Sequence, residues 1–508
     1  MRRNNRSKIL AVAAGVACLL LLVISLVCFY SANWYVTTYG KTGFDSIIYT
    51  LFSNLGGTQS ELIVRYMDEA LLPAVMISIA VGALLLFNSR RVLYATVFGK
   101  WKIRIYPLKP WLSRCVCLAV SCVLLTDAAV KSEFADYVHQ MMNPSTLFEE
   151  MYQDPQKTTI RFPEQKRNLI YIFLESMETS FFSKAEGGAL EYNVIPELYQ
   201  LAQENISFSD QEQIGGIYNT NGATWTMGAM VAHSAGIPLK VPAGIDANEF
   251  AQNGNFLPGV TALSDILHEN GYYQTLMIGS DAAFGDRDKF YNQHQIDHIY
   301  DVNTATADGI TEEGYYVWWG FEDSKLYTYA KQELKKISCQ EQPFAFTLLT
   351  VDTHGMDGYI CQSCGQDYAE QYENVYRCAS RQIGEFIEWL QQQDFYENTT
   401  VVIVGDHVTM DYEYISRNVD ESYDRRVYNC IMNAAIPAAH TKNRTATTMD
   451  LFPTTLAAMG CQIEGDRLGL GTNLFSGTST LAEEMGLGML NREIGRYSNY
   501  YFNRFYFS

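Results

Sequence analysis

The chain has 508 residues, 48% of them hydrophobic and 18% charged. That composition can bury large cores, and it excludes a disordered polymer, a collagen or a small disulfide scaffold. The net charge of −19 is uneven: residues 1–130 carry 13 Lys and Arg against 5 Asp and Glu, and the rest carries 24 basic and 51 acidic residues. So acidic a body repels phosphate backbones, which excludes nucleic acid as a partner and requires a metal or a few placed cations for any anionic substrate.

Ile9–Phe29 is uncharged and follows Arg2, Arg3, Arg6 and Lys8. It is long enough for a hydrocarbon layer of about 30 Å and exceeds the roughly 7–15 apolar residues of a secretory signal. Ala70–Phe87 is a second uncharged run, and Cys115–Val130 a third, interrupted by Asp127. These predict an anchor over residues 1–130, with membrane helices at 9–29, 70–88 and 114–130. Arg90, Arg91, Lys100, Lys102, Arg104, Lys109 and Arg114 lie between the second and third runs, but only Lys41 and Arg65 lie between the first and second. By the positive-inside rule the N-terminus and the second loop are cytoplasmic. Three crossings then put everything after residue 131 outside, as expected of a multi-pass protein of the cytoplasmic membrane with an extracytoplasmic body. The apolar run Phe44–Leu55 reads as interfacial.

Cys18, Cys28, Cys115, Cys117 and Cys122 fall in the anchor and read as small apolar residues. Cys339, Cys361, Cys364, Cys378, Cys430 and Cys461 remain, an even number that permits disulfides in an exported domain. Cys361-Gln-Ser-Cys364 with Cys378 offers either three zinc ligands or a disulfide-pinned loop. No His is near enough in sequence to complete a familiar zinc pattern, so the pinned loop is the favoured reading.

Residues 131–165, broken by Pro144, Pro155 and Pro163, predict a connector. Beyond it, Leu169–Leu174, Tyr272–Ile278, Phe344–Val351 and Thr399–Val404 predict buried strands, and Ile383, Phe386, Ile387 and Leu390 mark one face of a helix. The expectation is an α/β domain over 166–475, a mostly parallel central sheet with helices on both faces. The aromatic tail, 476–508, is expected to pack onto it.

Each strand runs into polar residues: Glu175-Ser176, Ser280-Asp281, Asp352 with His354, and Asp406-His407. Ligands bind beyond the carboxyl ends of such strands, so these groups predict one cluster. Glu175, Asp406 and His407 supply two oxygens and an imidazole suited to Mn²⁺ or Zn²⁺. The segment Gly215–Leu239 (GGIYNTNGATWTMGAMVAHSAGIPL) leads a Gly- and Asn-rich turn into a helix. A hydroxyl there, Thr224 or Thr226, is either a helix cap or a nucleophile near backbone N–H groups that favour phosphate. His233, His268, His294, His298 and His440 read as surface or packing residues.

NLIYIFLES, GATWTMGAMVAHSAGIPL, LLTVDTHGMDGYI and VVIVGDH, in that order, resemble the membrane-anchored phosphoglycerol transferases. These are the lipoteichoic acid synthases and the periplasmic glucan phosphoglycerol transferase of the alkaline phosphatase/sulfatase superfamily. The resemblance covers residues 166–475 and is closer to the glucan type. It implies a divalent metal, Mn²⁺ first and Mg²⁺ or Zn²⁺ next, on Glu175, Thr226, Asp406 and His407, with Thr226 rather than Thr224 as nucleophile. It implies Asp281, Arg287 and His354 around the glycerol phosphate, and a Cys364–Cys378 disulfide. The activity implied is transfer of glycerol phosphate from phosphatidylglycerol to a glucan, polyglycerolphosphate or glycolipid hydroxyl, through a phospho-threonine, with diacylglycerol released. The alternatives are a phosphoethanolamine transferase, a phosphodiesterase or sulfatase-like hydrolase, and an inactive polyol-phosphate sensor. No C/S-x-P-x-R sequence, the source of a sulfatase formylglycine, occurs.

Overall fold

A computed structural model describes residues 2–40, 43–44, 46–48, 60–86, 93–97, 101–106, 110–241 and 255–506. Most of the Phe44–Leu55 run, the end of the 70–88 span and Arg90, Arg91, Lys100 and Lys109 lie outside the described residues. The chain divides into two units, Met1–Lys41 with Gln59–Asp136, and Thr42–Thr58 with Tyr137–Ser508.

The first unit contains helices α1 (Arg2–Tyr39), α2 (Leu72–Leu86) and, after the antiparallel hairpin β1 (Leu93–Val97) and β2 (Trp101–Tyr106), α3 (Pro110–Lys131). Ala13–Tyr39 within α1 and Trp111–Lys131 within α3 are long and apolar enough to cross a membrane. The described part of α2 has 15 residues, about 22 Å at 1.5 Å per residue. A helical stretch, Ser60–Tyr66 and then the π turn Met67–Leu71, runs into it. Leu22, Leu26, Ala74 and Cys117 form a small core among the three helices. Asp127, the charge that interrupts the third apolar run, pairs with Lys131 at 2.8 Å, and Lys131 also donates to Asn33 on α1.

In the second unit six strands form one sheet. They are β3 (Asn168–Leu174), β4 (Tyr273–Ile278), β5 (His298–Tyr300), β6 (Phe344–Leu349), β7 (Thr399–Gly405) and β8 (Asn429–Met432), in the order β5-β4-β6-β3-β7-β8. All neighbours are parallel except β8 against β7. Successive strand side chains point to opposite faces, and both faces are apolar. Leu169, Tyr171 and Phe173 enter one core with Val402 and Val404, whereas Ile170, Ile172 and Leu174 enter the other with Val401 and Ile403. Doubly covered strands read as continuous apolar runs rather than alternating ones, which is why four of the six were visible in the sequence.

Helix α4 (Thr226–Ala235) packs into the first core through Met227, Met230 and Val231. Helix α5 (Arg287–Gln293) follows β4, and α6 (Asp323–Ile337) and α7 (Gln371–Gln391) cover the second face. The predicted helical face appears in α7, where Ile383, Phe386, Ile387 and Leu390 are buried. The segment predicted as a connector contains helix Leu147–Met151 and strand Ile160–Arg161, paired with Gln462–Ile463. Its Phe148 packs against Tyr501 and Phe505 of the aromatic tail, ring centroids 5.0 and 6.3 Å apart. Burying one such ring contributes about 1.5–3 kcal/mol.

Candidate active site

Parallel register brings the first three ligand candidates together. Leu174 pairs with Gly405, so Glu175 and Asp406 leave adjacent strands side by side, with His407 next to them. One ligand atom from each of Glu175, Asp406 and His407 lies within 4.8 Å of the others, and all three residues are buried. Helix α4 begins at Thr226, whose Oγ1 stands 3.3 Å from Glu175 Oε2 and 3.3 Å from His407 Nε2. Thr224 precedes the helix. Thr226 is therefore the hydroxyl placed at the cluster, on a helix N-terminus whose partial positive charge favours anions.

Hydrogen bonds fix how each group presents itself. His407 Nδ1 is 2.9 Å from the Val408 carbonyl; a carbonyl only accepts, so Nδ1 carries a proton and Nε2 is the ring nitrogen turned to the cluster. Asp406 Oδ1 accepts from the backbone N–H of Ser176 and of His407, both at 2.7 Å. Asp406 Oδ2 is buried and accepts no hydrogen bond, though His407 Nε2 lies 3.3 Å away. The Glu175 carboxyl is pushed up by burial and then by the neighbouring Asp406. Burial alone would lower His407, but Asp406 and Glu175 outweigh it and raise it. Two buried carboxylates with an orphaned oxygen between them attract positive charge. The donor set of two carboxylates, one imidazole and one hydroxyl fits a divalent cation.

The remaining predicted residues separate into two groups. His354 rests on Trp319, ring centroids 4.3 Å apart, and its Nδ1 is buried with no hydrogen-bond partner. Burial lowers its pKa; Glu175 opposes this, and His407 and Arg287 add to it. Arg287 heads α5 and is 5% exposed; its guanidinium donates to the Asp281 carbonyl at 2.7 Å and Ser280 Oγ at 3.0 Å. The Asp281 carboxylate accepts from Ala283 N in a local turn. Asp352 does not join the cluster predicted for it. It faces Asp323, whose carboxylate accepts from Val351 N and Asp352 N and so fixes the loop that carries His354. Strand β6 ends at Leu349 rather than at Val351, because the chain turns here to make those bonds. Cys364 and Cys378, the pair implied by resemblance, are not bonded to each other: both are free thiols, and Cys361 Sγ lies 3.6 Å from one and 3.8 Å from the other.

Sequence reasoning missed several supports. Asn219 donates to the carbonyls of Asp406 and Ala223, both at 3.0 Å, and accepts from Val408 N, tying the Thr226 turn to the Asp406-His407 turn. Only the Asn-rich composition of that turn hinted at it. Ser176 holds φ at 54°, a strained value for a non-glycine residue, and donates through Oγ to Glu175 Oε1 at 2.8 Å. Glu178 accepts from Thr409 N at 2.8 Å and pairs with Arg425, clamping the segment after His407.

A sequence model of the sulfatase family matches residues 167–461. The chain is 29% identical over 488 residues to phosphoglycerol transferase I of Salmonella heidelberg, an alignment covering 92% of this chain and 57% of that one. It thus spans a little over half the length of the curated relatives it matches. A protein of the alkaline phosphatase superfamily from Vibrio parahaemolyticus shares the fold, with a TM-score of 0.50 at 20% identity over 66% of this chain and 77% of the other. The lipoteichoic acid synthase LtaP from Listeria monocytogenes gives 0.49 at 20% identity over 63% and 79%.

Proposed function

The chain belongs to the sulfatase family, and on that premise we propose that it transfers glycerol phosphate from phosphatidylglycerol to the hydroxyl of a glycan, polyglycerolphosphate or glycolipid. The observation that carries this reading is the Thr226 hydroxyl, 3.3 Å from both Glu175 and His407 at the start of α4. The relative named phosphoglycerol transferase I supports the choice of donor.

Glu175, Asp406, His407 and Thr226 Oγ1 would hold a divalent cation, Mn²⁺ before Mg²⁺ or Zn²⁺, which supplies charge that acidifies the hydroxyl and neutralises phosphoryl oxygens. Thr226 Oγ1 loses its proton along the hydrogen bond to Glu175 and forms a bond to phosphorus; the bond from phosphorus to the diacylglycerol oxygen breaks. Protonated His354 donates to that oxygen and, now neutral, later takes the proton of the acceptor hydroxyl; the acceptor oxygen bonds to phosphorus as the bond to Thr226 Oγ1 breaks, and Glu175 returns its proton to that oxygen. Arg287 places its charge beside the nonbridging oxygens, and the N-terminus of α4 adds backbone N–H groups. An extracytoplasmic body tethered by membrane helices holds the site beside lipid of the outer leaflet at raised effective concentration.

The test is phosphatidylglycerol labelled in its head group, given with Mn²⁺ and candidate acceptors. Label on an acceptor with diacylglycerol released is the expected result. Free labelled glycerol phosphate would mean a hydrolase, turnover of phosphatidylethanolamine instead would mean a phosphoethanolamine transferase, and binding without turnover would mean a sensor.

A further inference from the structure

Away from the Glu175 cluster, three thiols converge. Cys361 and Cys364 lie in the loop after β6, Cys378 lies on α7, and one Sγ from each falls within 4.8 Å of the others. The Cys361–Cys364 and Cys361–Cys378 separations are 3.6 and 3.8 Å. A disulfide needs about 2.05 Å. Thiolates bound to zinc at about 2.3 Å stand about 3.8 Å apart at the corners of a tetrahedron. Around the sulfurs, Gln382 Nε2 donates to Cys378 Sγ at 3.2 Å, and an Arg381 guanidinium nitrogen stands 3.6 Å from it. These donors suit thiolates rather than thiols. Cys361 and Cys378 are buried and Cys364 is half-buried, which leaves one side of the cluster open to water.

We propose that Cys361, Cys364 and Cys378 form a three-thiolate site for Zn²⁺, with water as fourth ligand, that fastens the His354 loop to α7. Loading breaks three S–H bonds, forms three S–Zn bonds and releases three protons to solvent; no electrons move. Soft sulfur ligands select Zn²⁺ over Mn²⁺ or Mg²⁺, so the two cation sites would take different metals. The mechanical consequence lies in the same helix. Tyr372 of α7 donates to the Thr353 carbonyl at 3.0 Å, Gln371 reaches the Asp357 and Gly358 carbonyls, and Tyr376 donates to the Ser176 carbonyl at 2.6 Å. A metal joining residues 361 and 364 to 378 closes the far end of the segment that begins at His354.

The experiment uses the full chain, purified without reductant from zinc-supplemented cells and carrying Glu175→Gln and His407→Ala to silence the other site. One zinc per chain is expected; Cys361→Ser should abolish it, and Cys339→Ser, at an exposed cysteine outside the cluster, should not. Should Cys361→Ser misfold, the chain without cysteine substitutions still decides. Cobalt should give a thiolate charge-transfer band that zinc displaces, and denaturation in chelator without reductant should leave all three cysteines open to alkylation. A disulfide between any two of them, or zinc content unchanged by Cys361→Ser, overturns the site.

Discussion

Thr226 makes the sharpest claim at the scale of single residues. Thr226→Ala should fold normally and lose more than about 10³-fold in turnover, as nucleophile deletions do, whereas Thr224→Ala should stay within a few-fold; steady-state diacylglycerol release checks both. Asn219 ties the backbone of Asp406 to that of Ala223. Removing such a support costs about 10–100-fold in metal affinity or activity. Asn219→Ala should therefore raise the Mn²⁺ concentration needed for half-maximal rate, with part of the rate restored at high Mn²⁺. His354 gives a pH signature. Burial holds its pKa below the ordinary imidazole value, with Glu175, His407 and Arg287 as the charges that act on it. As a base it works unprotonated, so the acceptor half-reaction should persist below the ordinary imidazole pKa and fall only as pH drops through the lowered one. His354→Gln should lose that limb and about 10²–10⁴ in rate.

At the scale of elements, the site depends on strand ends that tolerate no extra atoms. A Cβ on Gly405 would stand 1.8 Å from the Met177 carbonyl, so Gly405→Ala must displace the β3–β7 edge that sets Glu175 beside Asp406. The expected destabilisation is about 1–3 kcal/mol, read by urea denaturation, with Gly477→Ala, where nothing lies within 4 Å, as the unaffected control. Helix α4 carries a second device. His233 is wholly buried beside Tyr171 Oη at 2.9 Å, and burial lowers its pKa from 6.5 to about 3. Between those values the unfolded chain binds a proton that the folded chain refuses. Stability is therefore complete above pH 6.5 and declines by about 1.4 kcal/mol per pH unit as pH falls toward 3. His233→Gln should flatten that decline. The sequence made β3, β4, β6 and β7 legible because both of their faces are apolar, and their polar ends marked Glu175, Asp406 and His407. It concealed β5 and β8, which are only three and four residues long. Asn219 was also hidden, since its bond to the Asp406 carbonyl spans 187 residues and involves backbone atoms that leave no mark in a sequence pattern. Asp352 misled for the opposite reason: it sits at a strand end, yet its partner is Asp323.

For the molecule as a whole, the side of the membrane on which the second unit lies depends on how many helices cross. α1 and α3 contain candidate spans; on the proposed reading α2 would supply a third crossing and so put the acidic body outside. Protease added to intact cells should then digest the second unit, and cysteines introduced near residue 95 should react only after the membrane is opened. Chemistry and placement meet in one experiment, with the full chain in vesicles of phosphatidylglycerol labelled in its head-group glycerol, Mn²⁺ present and no acceptor, quenched in acid and digested. The account predicts label on the peptide containing Thr226, lost when an acceptor is added before the quench and absent in Thr226→Ala. Diacylglycerol release in the wild type with no label on that peptide would contradict it.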